Sequence, residues 1–416
     1  MIRLYIIFLS AFIVLLGSTL WFFHSTPLAI HSTISVQNAL TDDESSLQGF
    51  TRAFAPKPII FPRDHGLHDN FKTEWWYFTG NLHTSDGRRF GYQLTFFRQA
   101  LTPPLQKSTQ GSSSWASSNI VMAHCTLTDV QNHQFYSSER FSRLSHNLAG
   151  CTLLETDTSA GIRLWLEDWE AISTMKSERN FVPRTQITPS AFPLGLKAGI
   201  SKEIKFHLAL DSIKPTTLQG EKGWSRKGIT PGNASYYYSL TRLATKGTIC
   251  IGNETFAVEG TSWMDREWSS SALEKNQIGW DWFALQLDDG RDIMYYQLRK
   301  RAFRDQSMPD STSTGIIVEQ DGRTRRIFFA DVIIKPLSFW VSPTTKATYP
   351  STWSLSIPRE HIVLTIQPLM QNQELQTTVQ YWEGAVQIFG SQSSIPLSGY
   401  GYVEMTGYAD KIQSIQ

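Results

Sequence analysis

The same order of motifs occurs twice in this chain of 416 residues, and this repeat constrains the fold more than any other feature. The first copy starts at Trp75 and reads W-W-Y-F-T-G-N-L, then a D-G-R turn, then Y-Q-L. The second copy starts at Trp280 and reads W-D-W-F-A-L-Q-L, again D-G-R, then Y-Q-L. In this alignment Asp281 takes the position of Trp76. A repeated motif order predicts two related units of one architecture.

The closing motifs of the two copies align as well. In the first copy they contain Gly260, Trp263, Met264 and Asp265, which align with Gly399, Tyr402, Val403 and Glu404 in the second. The first copy is longer and carries inserted loops. A chance similarity between two aromatic hairpins is the alternative explanation.

Short runs of alternating apolar residues, separated by turn signals, indicate an all-β chain. Ile204, Phe206, Leu208 and Leu210 recur at every second position, and Asp86-Gly87 is a hairpin turn signal. We find no long amphipathic pattern typical of a helix. Many short strands with regular turns predict a sandwich or a barrel.

The N-terminal stretch from Leu4 to Phe23 is almost wholly apolar and contains no charge. About 20 apolar residues suffice to span a bilayer, so residues 1–23 are predicted to be a membrane anchor, with a cleaved signal segment as the alternative. Residues 24–58 are polar and predict a linker. The first β domain is expected over 59–268 and the second over 269–416. The globular part is then expected in the cell envelope, outside the inner membrane.

Charge and cysteine content exclude several classes of protein. Lys and Arg total 38 and Asp and Glu total 37, so the basic excess of a nucleic-acid-binding protein is missing. The three cysteines show no Cys-x-x-Cys spacing, which argues against a structural zinc site. A disulfide between Cys125 and Cys151 is left open.

Several long motifs carry a resemblance to a known family. They are F-P-x-D-H-G-x-H, E-W-W-Y-x-T-G-N-L, W-M-D-R-E-W-S-S-S and G-Y-V-E-M-T-G-Y, and they run from Phe61 to Tyr408. They resemble the lipocalin-like, AttH-type family of "predicted secreted hydrolases", which also includes carotenoid 1,2-hydratases. The resemblance implies two tandem lipocalin-like β-barrel domains, a location in the cell envelope and, often, a neighbouring ABC transport system. It does not settle the reaction.

Acidic residues between tryptophans supply the candidate site. On a strand Trp263, Asp265 and Glu267 share one face. A carboxyl group buried among indoles has a raised pKa and can donate a proton near neutral pH. The candidate catalytic residues are Glu74, Asp265, Glu267 and Asp281, and the candidate ligand-binding residues are Trp76, Tyr238, Trp263, Trp268, Trp280 and Trp282. The alternative is that the acids are structural and pair with basic groups such as Arg266.

The D-H-G-x-H segment contains Asp64, His65 and His68. One short loop cannot supply a full set of metal ligands, so neither a metal nor another cofactor is predicted. A hydrogen-bonded loop that covers a barrel end is the favoured interpretation. The sequence contains no G-x-S-x-G motif, which leaves a serine-hydrolase mechanism without support.

Two functions from different classes remain open. The first is an enzyme that binds a large apolar molecule, lipid or isoprenoid-like, and hydrates or hydrolyses it. The second is a non-catalytic carrier of such a molecule that works with an ABC transport system, because barrels of this kind can enclose an apolar ligand.

Overall fold

Two antiparallel β-sheets contain most of the described chain. The computed structural model describes residues 44–104, 118–145, 147–156, 159–173, 193–271, 273–302 and 307–409. The apolar stretch 4–23 predicted as an anchor lies outside these residues. Within them, no helix is long and apolar enough to cross a membrane.

The first sheet contains thirteen strands. They are β1 (Thr73–His83), β2 (Arg89–Ala100), β3 (Asn119–Asp129), β4 (Gln134–Arg143), β5 (Ala149–Thr156), β6 (Ser159–Leu166), β7 (Trp169–Ser173), β8 (Leu194–Gly199), β9 (Ile204–Ser212), β10 (Thr217–Leu218), β11 (Trp224–Arg226), β12 (Ala234–Ile251) and β13 (Glu254–Ser269). Their order is β4-β3-β2-β1-β13-β12-β9-β8-β7-β6-β5, and β10 and β11 also pair with β12. Strands β4 and β6 approach each other, so this sheet is nearly closed into a barrel.

The second sheet contains eleven strands and forms a more open barrel. They are β14 (Gln277–Leu287), β15 (Asp292–Arg301), β16 (Ser307–Pro309), β17 (Thr314–Val318), β18 (Thr324–Phe328), β19 (Ile333–Val341), β20 (Thr348–Ile357), β21 (Ile362–Pro368), β22 (Glu374–Gln376), β23 (Gln380–Gln392) and β24 (Ile395–Thr406). The order is β18-β17-β15-β14-β24-β23-β21-β20-β19, with β16 beside β15 and β22 beside β23.

Helical structure among the described residues is limited to four short 3₁₀ segments. They are Glu44–Leu47, Arg63–His65, Phe329–Asp331 and Pro358–Glu360. The fold is therefore all-β, with two lipocalin-like barrels in tandem, and the sequence prediction of the fold class is confirmed.

Each barrel has its own apolar core, which follows from the alternation of side chains along a strand. Phe78, Leu94 and Met264 lie in the core of the first barrel, and Phe283 and Trp353 in that of the second. Burying one such side chain contributes about 1.5–3 kcal/mol. On β9 Phe206, Leu208 and Leu210 are buried and the residues between them are exposed, as the sequence pattern predicts for a strand with one solvated face.

The strands that join the two barrels are buried on both faces. Strands β1, β2 and β12 of the first sheet lie against β24, β23 and β14 of the second, and Trp263 of β13 contacts Trp282 of β14. Asn81 donates a hydrogen bond to the Gly401 carbonyl (2.8 Å), and Gln286 donates to the Thr241 carbonyl (2.7 Å). Such a double-sided burial explains why tryptophan is so frequent in these strands: one face fills a barrel, and the other fills the interface.

The chain passes from the first sheet to the second between Ser269 and Gln277. Lys214, in the loop after β9, and Arg242 of β12 also pair with Asp292 of the second sheet (2.7 and 2.6 Å). All three cysteines are free, and Cys125 is buried. The two barrels are thus held by packing, hydrogen bonds and buried ion pairs.

Candidate active site

A cavity lies in the interface between the two barrels, outside either barrel core. Its walls come from both sheets and from the loop after β11: Trp75, Tyr77, Lys227, Tyr237, Asp265, Glu267, Trp280, Trp282, Tyr296, Leu298 and Glu404. Its volume is about 70 Å³. Ligand sites for drug-sized molecules have roughly 300–1,000 Å³, so this cavity admits one end of a large apolar molecule or a small one whole.

The internal repeat explains how the walls are built. Strands β1 and β14 occupy equivalent places, and so do β13 and β24. Tyr77 lies opposite Asp265 in the first sheet, and Trp282 lies opposite Glu404 in the second. Tyr77 and Trp282 also contact each other edge to face, with ring centroids 5.2 Å apart. The cavity therefore has an approximate two-fold arrangement, with one acid from each barrel.

Asp265 is almost fully buried and accepts three hydrogen bonds from neutral donors. Oδ2 accepts from the Tyr237 hydroxyl (2.5 Å), and Oδ1 accepts from the Ser239 hydroxyl (2.5 Å) and the Trp263 indole N–H (2.7 Å). Burial raises the pKa of Asp265 to about 7, although these hydrogen bonds oppose the shift. A carboxyl group with this pKa can give or take a proton near neutral pH.

Glu404 is the counterpart of Asp265 on the opposite wall. It lines the cavity, and burial raises its pKa to about 8, although the side chain of Trp280 hydrogen-bonds to it. Its cross-strand neighbour on β23 is a second glutamate, Glu383, which is fully buried. Tyr77 donates a hydrogen bond to Glu383 (2.8 Å). Burial and the neighbouring Glu404 raise the pKa of Glu383 well above its usual range.

Lys227 and Glu267 form an ion pair in the cavity wall, with Nζ 2.8 Å from Oε1. The Lys227 ammonium group also lies over the rings of Tyr296 (4.3 Å) and Tyr237 (5.1 Å). Burial works against its charge, but Glu267 raises the pKa of Lys227 above its ordinary value. The cavity thus combines two acids with raised pKa values, Asp265 and Glu404, with the ion pair of Lys227 and Glu267.

Three predicted residues lie inside the first barrel instead. Glu74 is fully buried between Arg98 and Arg266 and forms ion pairs with both. Burial opposes its charge, but Arg266 and Arg98 hold the pKa of Glu74 well below its usual range. Trp76 lies under the Arg266 guanidinium group (3.9 Å), and Trp268 stacks on His68 with ring centroids 3.9 Å apart. These contacts describe a buried ionic and aromatic cluster.

The D-H-G-x-H segment belongs to this same end of the first barrel. His65 Nδ1 lies 2.5 Å from the Tyr238 hydroxyl, and Trp76 donates a hydrogen bond to the His65 carbonyl (2.8 Å). His65 borders a small cavity of about 10 Å³ in the barrel interior. Tyr238 therefore contacts the covering segment and does not line the interdomain cavity. In the part of the chain that the structure describes, no group of three or more His, Cys, Asp or Glu residues could hold a metal ion.

Asp281 points into the second barrel, on the face of β14 opposite to Trp280 and Trp282. It pairs with Arg299 (3.2 Å) and accepts a hydrogen bond from the Tyr408 hydroxyl (3.0 Å). Burial raises the pKa of Asp281, although Arg299 opposes the shift.

The structure thus gathers five of the ten predicted site residues around one cavity. These are Asp265, Glu267, Trp280 and Trp282 in the wall, and Trp263 directly behind Asp265. Sequence reasoning did not assign Glu404, Glu383 or Lys227. Glu404 could have been found, because the repeat aligns it with Asp265. Lys227 carries no such signal, since it lies in a loop outside the aligned motifs of the repeat.

Comparisons with known proteins agree with this architecture. The AttH-like family matches residues 52–408. A solved Nitrosomonas europaea structure assigned to AttH shares 31% identity, covers 86% of this chain and 100% of its own, and superimposes with a TM-score of 0.70. Kievitone hydratase from Nectria haematococca covers 86% of this chain and 98% of its own at 16% identity with a TM-score of 0.60, and shows the same fold. No protein with a curated description matches significantly. Family match and fold together establish that the chain belongs to the AttH-like family.

Proposed function

We propose that this protein is an enzyme of hydratase or hydrolase type that adds water to an apolar molecule held in the interdomain cavity. The observation that carries the proposal is Asp265, a buried acid with a pKa of about 7 that faces an aromatic cavity. A general acid works best when its pKa lies near the working pH. Kievitone hydratase, which has a similar fold, is named for a hydration reaction, and this supports the proposal.

The aromatic walls suit the body of the substrate. Trp75, Trp280 and Trp282 line the cavity with aromatic rings, and Leu298 completes the apolar lining. Ring faces and apolar side chains bind an apolar molecule, with a few polar groups fixing its orientation. The cavity volume implies that a large lipid or isoprenoid would place only its reacting end here.

The proposed reaction adds water across a carbon–carbon double bond. Asp265 gives its proton to one carbon, and the oxygen of a water molecule bonds to the other carbon. The proton that this water loses passes to the Glu267 carboxylate and returns to Asp265 after the product leaves. One water molecule is consumed, and no net proton is used. Hydrolysis would use the same two groups, with Asp265 protonating the leaving group.

Isotope incorporation tests the proposal. The full-length protein is incubated in heavy-oxygen water with two probes, farnesol for an isoprenoid double bond and benzylideneacetone for a conjugated one. Mass spectrometry should detect one heavy oxygen atom in the product of at least one probe, and Asp265→Asn should remove it. Label incorporation that is unchanged in Asp265→Asn would exclude Asp265 as the acid. Absence of label with both probes would count against hydration.

The carrier function is the second candidate, favoured by the same apolar lining. As a carrier, the protein would hold an apolar molecule in the cell envelope, attached to the membrane by its N-terminal segment, and exchange it with an ABC transport system. Solvent extraction of the purified protein, followed by mass spectrometry, distinguishes the two functions. A recovered lipid that stays unchanged over time favours the carrier, and a hydrated product favours the enzyme.

A further inference from the structure

Lys227 is the feature of the cavity that neither the acid mechanism nor the apolar lining explains. Apolar walls need no buried ammonium group, and burying one is costly unless it is paired. A purely structural role would be to neutralise Glu267. The position of Lys227 suggests more, because its backbone is held by three separate parts of the chain.

Those three contacts come from both domains. The Lys227 N–H donates to the Asn233 carbonyl (3.0 Å), within the same loop. Its carbonyl accepts from Gln277 Nε2 (2.7 Å) at the start of the second sheet, and from the Thr312 hydroxyl (3.3 Å) between β16 and β17. The ammonium group is thus placed in the cavity by a fixed backbone, which is how sites that recognise one ligand atom are built.

The ammonium group retains hydrogen-bonding capacity. A lysine ammonium has three N–H donors, and among the described residues its only acceptor is Glu267. The rings of Tyr296 and Tyr237 cover two further sides. Tyr296 is itself fixed, since its hydroxyl donates to the Arg226 carbonyl (3.0 Å). A ligand oxygen in the cavity would therefore find a positive donor already in place.

The charge also discriminates between substrates. Protonating an isolated double bond creates a carbocation, which a nearby ammonium group repels. Adding water to a double bond conjugated with a carbonyl group instead places negative charge on the carbonyl oxygen, which a fixed cation stabilises. The Lys227 ammonium group thus favours the second kind of transition state.

We infer that Lys227 binds a carbonyl oxygen, and that the substrates are apolar molecules with a carbon–carbon double bond conjugated to a carbonyl group. This inference rests on the proposed function. Water bonds to the β-carbon, and the π electrons move onto the carbonyl oxygen, which accepts a hydrogen bond from Lys227. The carbonyl group then re-forms as the α-carbon takes the proton of Asp265. Glu267 receives the proton lost by the water and returns it to Asp265, so one water molecule is added.

A pair of probes with the same carbon skeleton tests the role of Lys227. Benzylideneacetone has the conjugated carbonyl group, and trans-1-phenyl-1-butene lacks its oxygen. Isothermal titration calorimetry of the full-length protein should show tighter binding of the ketone, on the order of tenfold, as expected for one hydrogen bond to a charged group. Lys227→Met should bring the two affinities together, and Lys227→Arg should keep most of the difference.

Two further variants separate the possible outcomes. Lys227→Met/Glu267→Gln removes both charges and should recover the thermal stability lost in Lys227→Met, but not the preference for the ketone. Asp265→Asn should keep the preference for the ketone but should no longer convert it. Conversion is measured as the decrease in absorbance of the conjugated ketone. Equal affinities in the parent protein, or a preference that survives Lys227→Met, would overturn the inference. Preference without conversion in the parent protein would instead count against the proposed enzyme.

Discussion

Asp265 and Glu404 occupy equivalent positions in the two halves of the repeat, yet their surroundings differ. Asp265 faces Ser239 across the strand pair and receives three neutral hydrogen bonds. Glu404 faces a second glutamate, Glu383, in the same relative place. Both acids have raised pKa values, about 7 and about 8. At equivalent backbone positions, Asp265 is therefore held by hydrogen-bond donors, whereas Glu404 lies beside a second acid, Glu383.

This difference predicts which acid matters for catalysis. Fixed hydrogen bonds orient Asp265 towards the cavity, so it is the better general acid. Asp265→Asn should lower kcat/KM for the converted probe by about 10²–10⁴-fold, the usual contribution of general acid catalysis. Glu404→Gln should lower it by less than about tenfold.

The folded state of both variants is the control. Asn resembles the neutral form of Asp265, so circular dichroism spectra at pH 6 should match the parent protein. An equal loss of activity in the two variants would mean that the two walls share one catalytic function. A larger loss in Glu404→Gln would reverse the assignment.

The barrel-facing acids of the neighbouring strands β1 and β14 offer a second comparison, measured as stability. Glu74 lies between two buried arginines, and Glu74→Gln leaves both without a carboxylate. Removing one partner of a buried ion pair costs about 3–5 kcal/mol. Asp281 faces one arginine, Arg299, and its raised pKa favours the neutral form. Asp281→Asn should therefore cost less, about 1–2 kcal/mol.

Urea unfolding followed by circular dichroism measures both changes. Trp76→Phe is a useful third variant, because it removes the indole under Arg266 without changing charge. Equal destabilisation by Glu74→Gln and Asp281→Asn would show that the second arginine contributes nothing. Loss of probe conversion in Glu74→Gln at unchanged stability would instead give Glu74 a role in the reaction.

The sequence predicts the two barrels but not which strand faces form the cavity between them. The repeat and the alternating strands predict two β-barrels, and the strand period places Asp265, Trp263 and Glu267 on one face. The sequence could not show which face meets the other barrel, because Trp occurs on both faces of β1 and β13. Glu74 and Asp281 have the same acid-beside-tryptophan pattern as Asp265, and only the structure separates the faces.

The cavity itself also depends on contacts between residues far apart in sequence. Lys227 enters through a loop whose position is set by Gln277 and Thr312. The Glu383–Glu404 pair arises from the register of β23 and β24, which sequence periodicity leaves open. The local sequence pattern therefore predicts neither the position of Lys227 nor the pairing of Glu383 with Glu404.

The free energy of unfolding should depend on pH through the buried acids of both cavity walls. Asp265, Glu404 and Glu383 all have raised pKa values in the folded protein. Their folded forms hold protons more tightly than the unfolded chain does, so stability falls as pH rises from about 4 through the folded pKa values. For a buried acid such as Asp265, whose folded pKa is about 7, the loss is on the order of 4 kcal/mol.

Urea unfolding at pH 5, 7 and 9 checks this dependence. Asp265→Asn should flatten the part of the curve between about pH 4 and 7, and Glu404→Gln the part that extends to about pH 8. Stability that rises between pH 5 and 9 in the parent protein would contradict the protonated state of both walls. Acids of the first barrel such as Glu74 act in the opposite direction and only at lower pH, since their pKa values are depressed.

The smallest effect concerns the hydroxyl groups that fix each wall. The Tyr237 hydroxyl donates to Asp265 and lowers its pKa against the larger effect of burial. Tyr237→Phe should therefore raise the pKa of Asp265 by less than about one unit and move the corresponding limb of the pH–rate profile to higher pH. Tyr77→Phe is the matched control, since Tyr77 donates to Glu383 on the other wall. It removes the same atom from the same cavity and should leave that limb in place. If both variants move the limb equally, the two walls titrate as one coupled group, and Asp265 cannot be separated from Glu404 in the reaction.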